Sequence, residues 1–155
     1  MNTVCVDEID RALLRELQLD ADRSLLDLGE LVGLSASATQ RRLTRLKADG
    51  TIAGIVAVLD PGSLGVPVTI VTTVRFERDN RDHTQTLLNK LVARPEVVLL
   101  HSLAGQHDLL IVTVVGELDD YTSGVLADLE ADDNVNRLET NVSLGMYKST
   151  HALPV

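Results

Sequence analysis

Between residues 35 and 48 the chain carries four basic side chains, Arg41, Arg42, Arg45 and Lys47, and no acidic one, although its 155 residues sum to a formal net charge of −9. Small polar residues, Ser35, Ser37, Gln40 and Thr44, lie among them. Arginine and lysine neutralise phosphates, and Arg, Gln and Ser can hydrogen-bond base edges. At about 100° per residue, Thr39, Leu43 and Leu46 fall on one stripe of a helix and must pack inward. Ser37, Arg41, Thr44 and Arg45 then face the other way, flanked by Arg42 and Lys47. This pattern suits a helix laid in the major groove of double-stranded DNA. Ser37, Gln40 and Arg41 are the expected base contacts, and Arg42, Arg45 and Lys47 the expected phosphate contacts. Ser35 and Thr44 complete the same surface.

Such a helix has to be presented by something. Leu28, Leu31 and Val32 lie at helical spacing just before it, Gly33 can take the positive φ that ends a helix, and Ser35 is a good N-cap for the next. Two short helices meeting at a glycine turn make a helix-turn-helix. Asp7 caps a further helix with Ile9, Leu13, Leu14 and Leu17 on one face, and Gly50 stops the basic helix. Three helices in about fifty residues form a unit too small to be very stable alone.

Residues 51–59 read as a strand or an extended linker, and Asp60-Pro61-Gly62 as a turn. The rest alternates elements in the order βαββαβ: strands over 68–76, 97–103, 109–115 and 135–146, and helices over 84–92 and 118–129. That order predicts a ferredoxin-like sandwich, a four-stranded antiparallel sheet with both helices on one face. Val97-Val98-Leu99-Leu100 and Leu109-Leu110-Ile111-Val112 are apolar at consecutive positions, so the second face should be covered as well. A homodimer packed through the sheet is expected, and its two-fold axis would present two basic helices to two half-sites. The fold class is therefore α+β. A helix-turn-helix domain, winged-helix-like, spans 1–52, a linker strand 53–66, and the sandwich 67–155.

Composition narrows the function classes. With 45% hydrophobic residues the chain can bury a core. Its apolar runs reach only about seven residues, and its first nineteen residues are charged and periodic, which predicts a cytoplasmic protein with no membrane span and no signal peptide. Cys5 is the sole cysteine and the four histidines lack ligand spacing, so neither a disulfide nor a structural metal is expected. No nucleotide-binding loop or nucleophile motif occurs, and no cofactor or catalysis is expected. Residues 1–50 hold seven Lys and Arg against nine Asp and Glu. Binding to DNA must therefore rely on the local field of the basic helix, and it should be sensitive to salt.

End to end, these segments resemble the Lrp/AsnC, or feast/famine, family of transcription regulators. The resemblance runs through Asp7–Leu17 with Asp22-Arg23, Leu31-Val32-Gly33-Leu34-Ser35, Arg42–Ile52, Leu59-Asp60-Pro61 with Leu64-Gly65, Gly105-Gln106-His107-Asp108 and Thr140-Asn141-Val142-Ser143-Leu144. It implies a C-terminal effector domain of the kind called RAM, dimers assembling into tetramers, octamers or larger rings, and an amino acid or related metabolite bound between dimers near the Gly105–Asp108 hairpin. Carried over by position, the pocket residues are Ser102, Leu103, Gly105, Gln106, His107, Asp108, Thr140 and Asn141. Gly105 would allow backbone N–H groups to face a carboxylate, and Asp108 would accept from an ammonium. This chain departs from the family in having Ala36 where proline is frequent, and Gln106-His107 where an aromatic residue is common. Two other readings accompany the resemblance. One is a sirohaem-decarboxylase-like enzyme, in which the intact basic helix would have no task. The other is a nucleoid-organising protein with a specificity ratio near one.

Overall fold

The computed structural model describes residues 6–77 and 81–155, which leaves the lone thiol of Cys5 outside the described residues. The chain divides into two units. One runs to Val58 and takes in Lys148–Val155, and the other is Leu59–Tyr147. The C-terminal eight residues thus group with the helical unit. The physical reason is a two-point clamp: Leu153 N–H donates to Gln18 Oε1 at 2.6 Å, and Gln18 Nε2 donates to the Leu153 carbonyl at 3.2 Å.

The helical unit holds α1 (Glu8–Leu19), α2 (Leu25–Val32) and α3 (Ala36–Ala48). Each begins at a side-chain cap that satisfies an otherwise unpaired N–H of the first turn. Asp7 caps α1 in a reciprocal capping box with Asp10, Ser24 caps α2, and Ser35 caps α3. Gly33 ends α2 at φ 72, ψ 34, a left-handed conformation that costs glycine little. Leu13, Leu28 and Leu43 form the core, one from each helix, with Leu17, Leu25, Val32, Leu34 and Ile52 against it. Residues 53–60 pair with no strand, so among the described residues the helix-turn-helix carries no wing and the expected linker strand of 53–66 is extended chain followed by a turn at 61–65.

The second unit holds β1 (Val68–Phe76), α4 (Arg81–Val92), β2 (Val97–Ser102), β3 (Leu109–Val115), α5 and β4 (Val135–Val142). Here α5 denotes one continuous helix in three parts: α-helical Leu118–Tyr121, a π turn over Thr122–Leu126, and α-helical Ala127–Glu130. The strands pair antiparallel in the order β2-β3-β1-β4, the expected sandwich. Ile70 and Val74 of β1 and Leu109, Ile111 and Val115 of β3 pack with Leu87 and Leu91 of α4 and Tyr121, Val125 and Leu129 of α5. The π turn has a reason. Residues four apart drift round a regular helix by about 40° per step, and a wider turn keeps Tyr121, Val125 and Leu129 all on the sheet.

Candidate nucleic-acid interface and effector hairpin

Helix α3 buries the predicted stripe: Thr39 and Leu46 are fully buried and Leu43 nearly so. The close crossing with α2 depends on Gly29, where an added Cβ would lie 2.5 Å from the Leu34 carbonyl oxygen and 2.9 Å from Thr39 Oγ1. Ser35, Ser37, Gln40, Arg41, Thr44, Arg45 and Lys47 are exposed and Arg42 is half-buried. The eight residues expected to meet DNA thus lie along one element, but they are not equally available. Gln40 Nε2 donates to Thr44 Oγ1 at 3.1 Å, and the Ser35 and Ser37 hydroxyls are 3.2 Å apart.

The basic residues divide into two pairs. Arg42 Nη1 donates to Asp7 Oδ2 at 2.7 Å and to Asp10 Oδ1 at 2.8 Å, while Arg45 Nη2 donates to Asp10 Oδ2. Arg41 and Lys47 have no ion pair among the described residues. Asp10, absent from the sequence-based candidates, is the hub: its side chain is fully buried and also accepts from the Asp7 N–H at 3.1 Å. Burial alone pushes its pKa upward, but the hydrogen bonds from Arg45 and Arg42 and the Asp7 N–H outweigh this and hold it down to about 2. The same contacts lower the pKa of Asp7, chiefly through Arg42, and raise those of Arg42 and Arg45. Since two arginines and two aspartates offset one another, the net positive charge of α3 rests on Arg41 and Lys47.

At the far end of the sheet, Gly105 turns the β2–β3 connection at φ +154. Asp108 fastens this hairpin to its neighbour strand. Its N–H donates to the Val74 carbonyl at 2.9 Å, its carbonyl accepts from the Leu103 N–H at 2.9 Å, and its Oδ2 accepts from the Phe76 N–H at 2.9 Å. His107 Nε2 lies 4.0 Å from Glu139 Oε2, and Arg137 Nη2 is 2.7 Å from Glu139 Oε1. Ser102, Leu103, Gly105 and Gln106 are exposed around them. Thr140 and Asn141 leave β4 on opposite faces, because Thr140 pairs with Thr72 and Asn141 with Val71. The Thr140 hydroxyl is engaged inward, 2.8 Å from Tyr121 Oη, which in turn lies 2.8 Å from Thr72 Oγ1. Thr140 and Asn141 thus share a strand, Thr140 turned to the core and Asn141 to the opposite face. Sequence reasoning passed over Glu139, which faces His107, and Arg137, which pairs with Glu139.

Residues 6–47 match the AsnC-type helix-turn-helix domain, and residues 69–153 match the Lrp/AsnC ligand binding domain. The chain belongs to the Lrp/AsnC family. A crystal structure of an AsnC family transcriptional regulator from Agrobacterium tumefaciens superposes with a TM-score of 0.88 at 28% identity, covering 96% of each chain. A transcriptional regulator of Neisseria meningitidis in complex with L-methionine gives 0.89 at 26% identity, covering 97% of each chain. Among curated relatives, transcriptional regulator AzlB of Bacillus subtilis is 28% identical over 98% of this chain and 97% of its own length. The glutamate uptake regulatory protein of Zymomonas mobilis is 34% identical over 75% of this chain and 71% of its own. This Lrp/AsnC chain is accordingly a DNA-binding transcription regulator, with α2 and α3 as its helix-turn-helix and the sandwich as its ligand-binding domain. No helix among the described residues is long and apolar enough to cross a membrane.

Proposed function

We propose that α3 reads DNA through Ser37, Gln40 and Arg41, and that Lys47, Arg42 and Arg45 meet phosphates, with Ser35 and Thr44 on the same surface. The observation that carries this reading is the pairing pattern of α3: Arg41 and Lys47 project from the exposed side without an ion pair among the described residues, on a helix whose opposite stripe is packed. The regulator works in the cytoplasm on the chromosome, has no catalytic task, and binds an amino-acid-type effector at the β2–β3 hairpin. Two structural relatives support an amino-acid effector: the Neisseria regulator above and a feast or famine regulatory protein of M. tuberculosis are each seen in complex with L-methionine. In this chain Asp108 Oδ2 is already committed to Phe76 N–H, so an effector ammonium would meet Oδ1. A dimer packs through the open sheet face, where Val71, Leu99, Leu110 and Val112 lie together, and dimers meet at the hairpins to complete a pocket that one chain leaves open.

Two substitutions test the division of labour. Replacing Arg41 with Ala should remove about 1–3 kcal/mol of discrimination between a selected duplex and a scrambled one. Lys47→Ala should weaken both duplexes alike and lower the slope of log affinity against log salt by about one. Equal loss of discrimination in the two variants would contradict the assignment.

A further inference from the structure

The Asp10 carboxylate belongs to the first turn of α1, yet both its oxygens are taken by arginines of α3, 32 and 35 residues further along the chain. Its side chain is fully buried, while those of Arg42 and Arg45 keep 28% and 46% of their surface exposed. Arg42 is engaged only through Nη1 and Arg45 only through Nη2 among the described residues. A guanidinium has five N–H donors, so each retains outward donors in a fixed fork. We propose that Asp10 is a positioning residue for DNA contact: from the interior it holds the guanidinium groups of Arg42 and Arg45 in set orientations on α3, so that their remaining N–H groups meet phosphates without first losing rotamer freedom. This rests on the reading of α3 as the DNA-contacting helix.

A purely structural role for Asp10 predicts the opposite sign. Replacing it by Asn keeps an acceptor for the Asp7 N–H, keeps the volume, and removes one negative charge from the DNA-binding unit. Charge alone would then strengthen binding to any duplex. Loss of positioning would weaken it, because two long side chains must be ordered at the moment of binding.

The test uses the full-length protein and a duplex selected by it from a random-sequence pool, alongside a scrambled duplex, read by fluorescence anisotropy at two salt concentrations. Asp10→Asn is expected to bind the selected and the scrambled duplex alike about tenfold more weakly than wild type, since the contacts it disturbs are to phosphates. Asp7→Asn preserves the helix cap, since Asn serves there as well as Asp, and frees only one of Arg42's two contacts. It should show a smaller loss in the same direction. Unchanged or tighter binding by a folded Asp10→Asn variant, with the preference intact, overturns the proposal. If that variant does not fold, unchanged or tighter binding by Asp7→Asn does so. A wild type that binds neither duplex would instead remove the DNA-contact reading of α3, and the proposal with it, so the two failures are distinct.

Discussion

Asp10 sets the acid stability of the helical unit. Its pKa falls from an ordinary 3.8 to about 2 on folding, so the folded state favours the ionised form. A depressed carboxylate contributes stability that is fully present above the unfolded value and lost as pH falls through the folded one. The shift corresponds to about 2 kcal/mol. Asp10→Asn should therefore be less stable than wild type in urea melts at pH 6, and the gap should close between about pH 4 and pH 2. A gap independent of pH would mean that the ion pairs contribute nothing beyond shape. Sequence patterning does not show this residue. Asp7 reads as a cap from its position before an apolar helix, but beyond its capping-box bond to Asp7 the partners of Asp10 are two arginines on another helix, 32 and 35 residues away, which no local pattern signals. His107 presents the same difficulty, for its neighbour Glu139 arrives from a strand 32 positions away.

At the scale of elements, caps and periodicity carried most of the information. Ser35, Gly33 and the stripe of Thr39, Leu43 and Leu46 are local features, and the structure uses each as the sequence implies. The π turn in α5 was not legible, because it follows from the need to keep Tyr121, Val125 and Leu129 on a sheet formed by distant strands. Gly29 is a second case: an ordinary helix position in sequence, it sits where α2 passes the chain leading into α3. Gly29→Ala would force its new Cβ against the backbone oxygen of Leu34, which cannot swing aside. The expected cost is about 1–3 kcal/mol of helical-unit stability, where an open helical site would gain from the same change. Thermal unfolding measures it, and a rise in melting temperature would show that the crossing is looser than drawn.

For the molecule as a whole, the consecutive apolar residues of β2 and β3 announced a sheet with two faces to cover, and the structure shows what one chain leaves undone. Val98 and Leu99 remain exposed at 58% and 38%, and Val71, Leu110 and Val112 are only partly covered. The sequence reading assigns that face to a second copy of the chain. If a second copy covers it, the wild type should sediment as a dimer or larger assembly and Val112→Lys should shift it toward monomer, since an unpaired charge in a dry interface is costly. A monomeric wild type at micromolar concentration would contradict the dimer.

The central claim is that an acidic chain has concentrated its DNA-reading capacity on one helix and places it under the control of a small amino-acid-type ligand. The most direct measurement is fluorescence anisotropy of the full-length protein with a duplex selected from a random pool and with its scrambled counterpart, at low and physiological salt, with and without a pool of L-amino acids. The account predicts tighter binding to the selected duplex, steep weakening with salt, and a shift in affinity when the pool is added. Equal binding to both duplexes, unmoved by the amino acids, would contradict it.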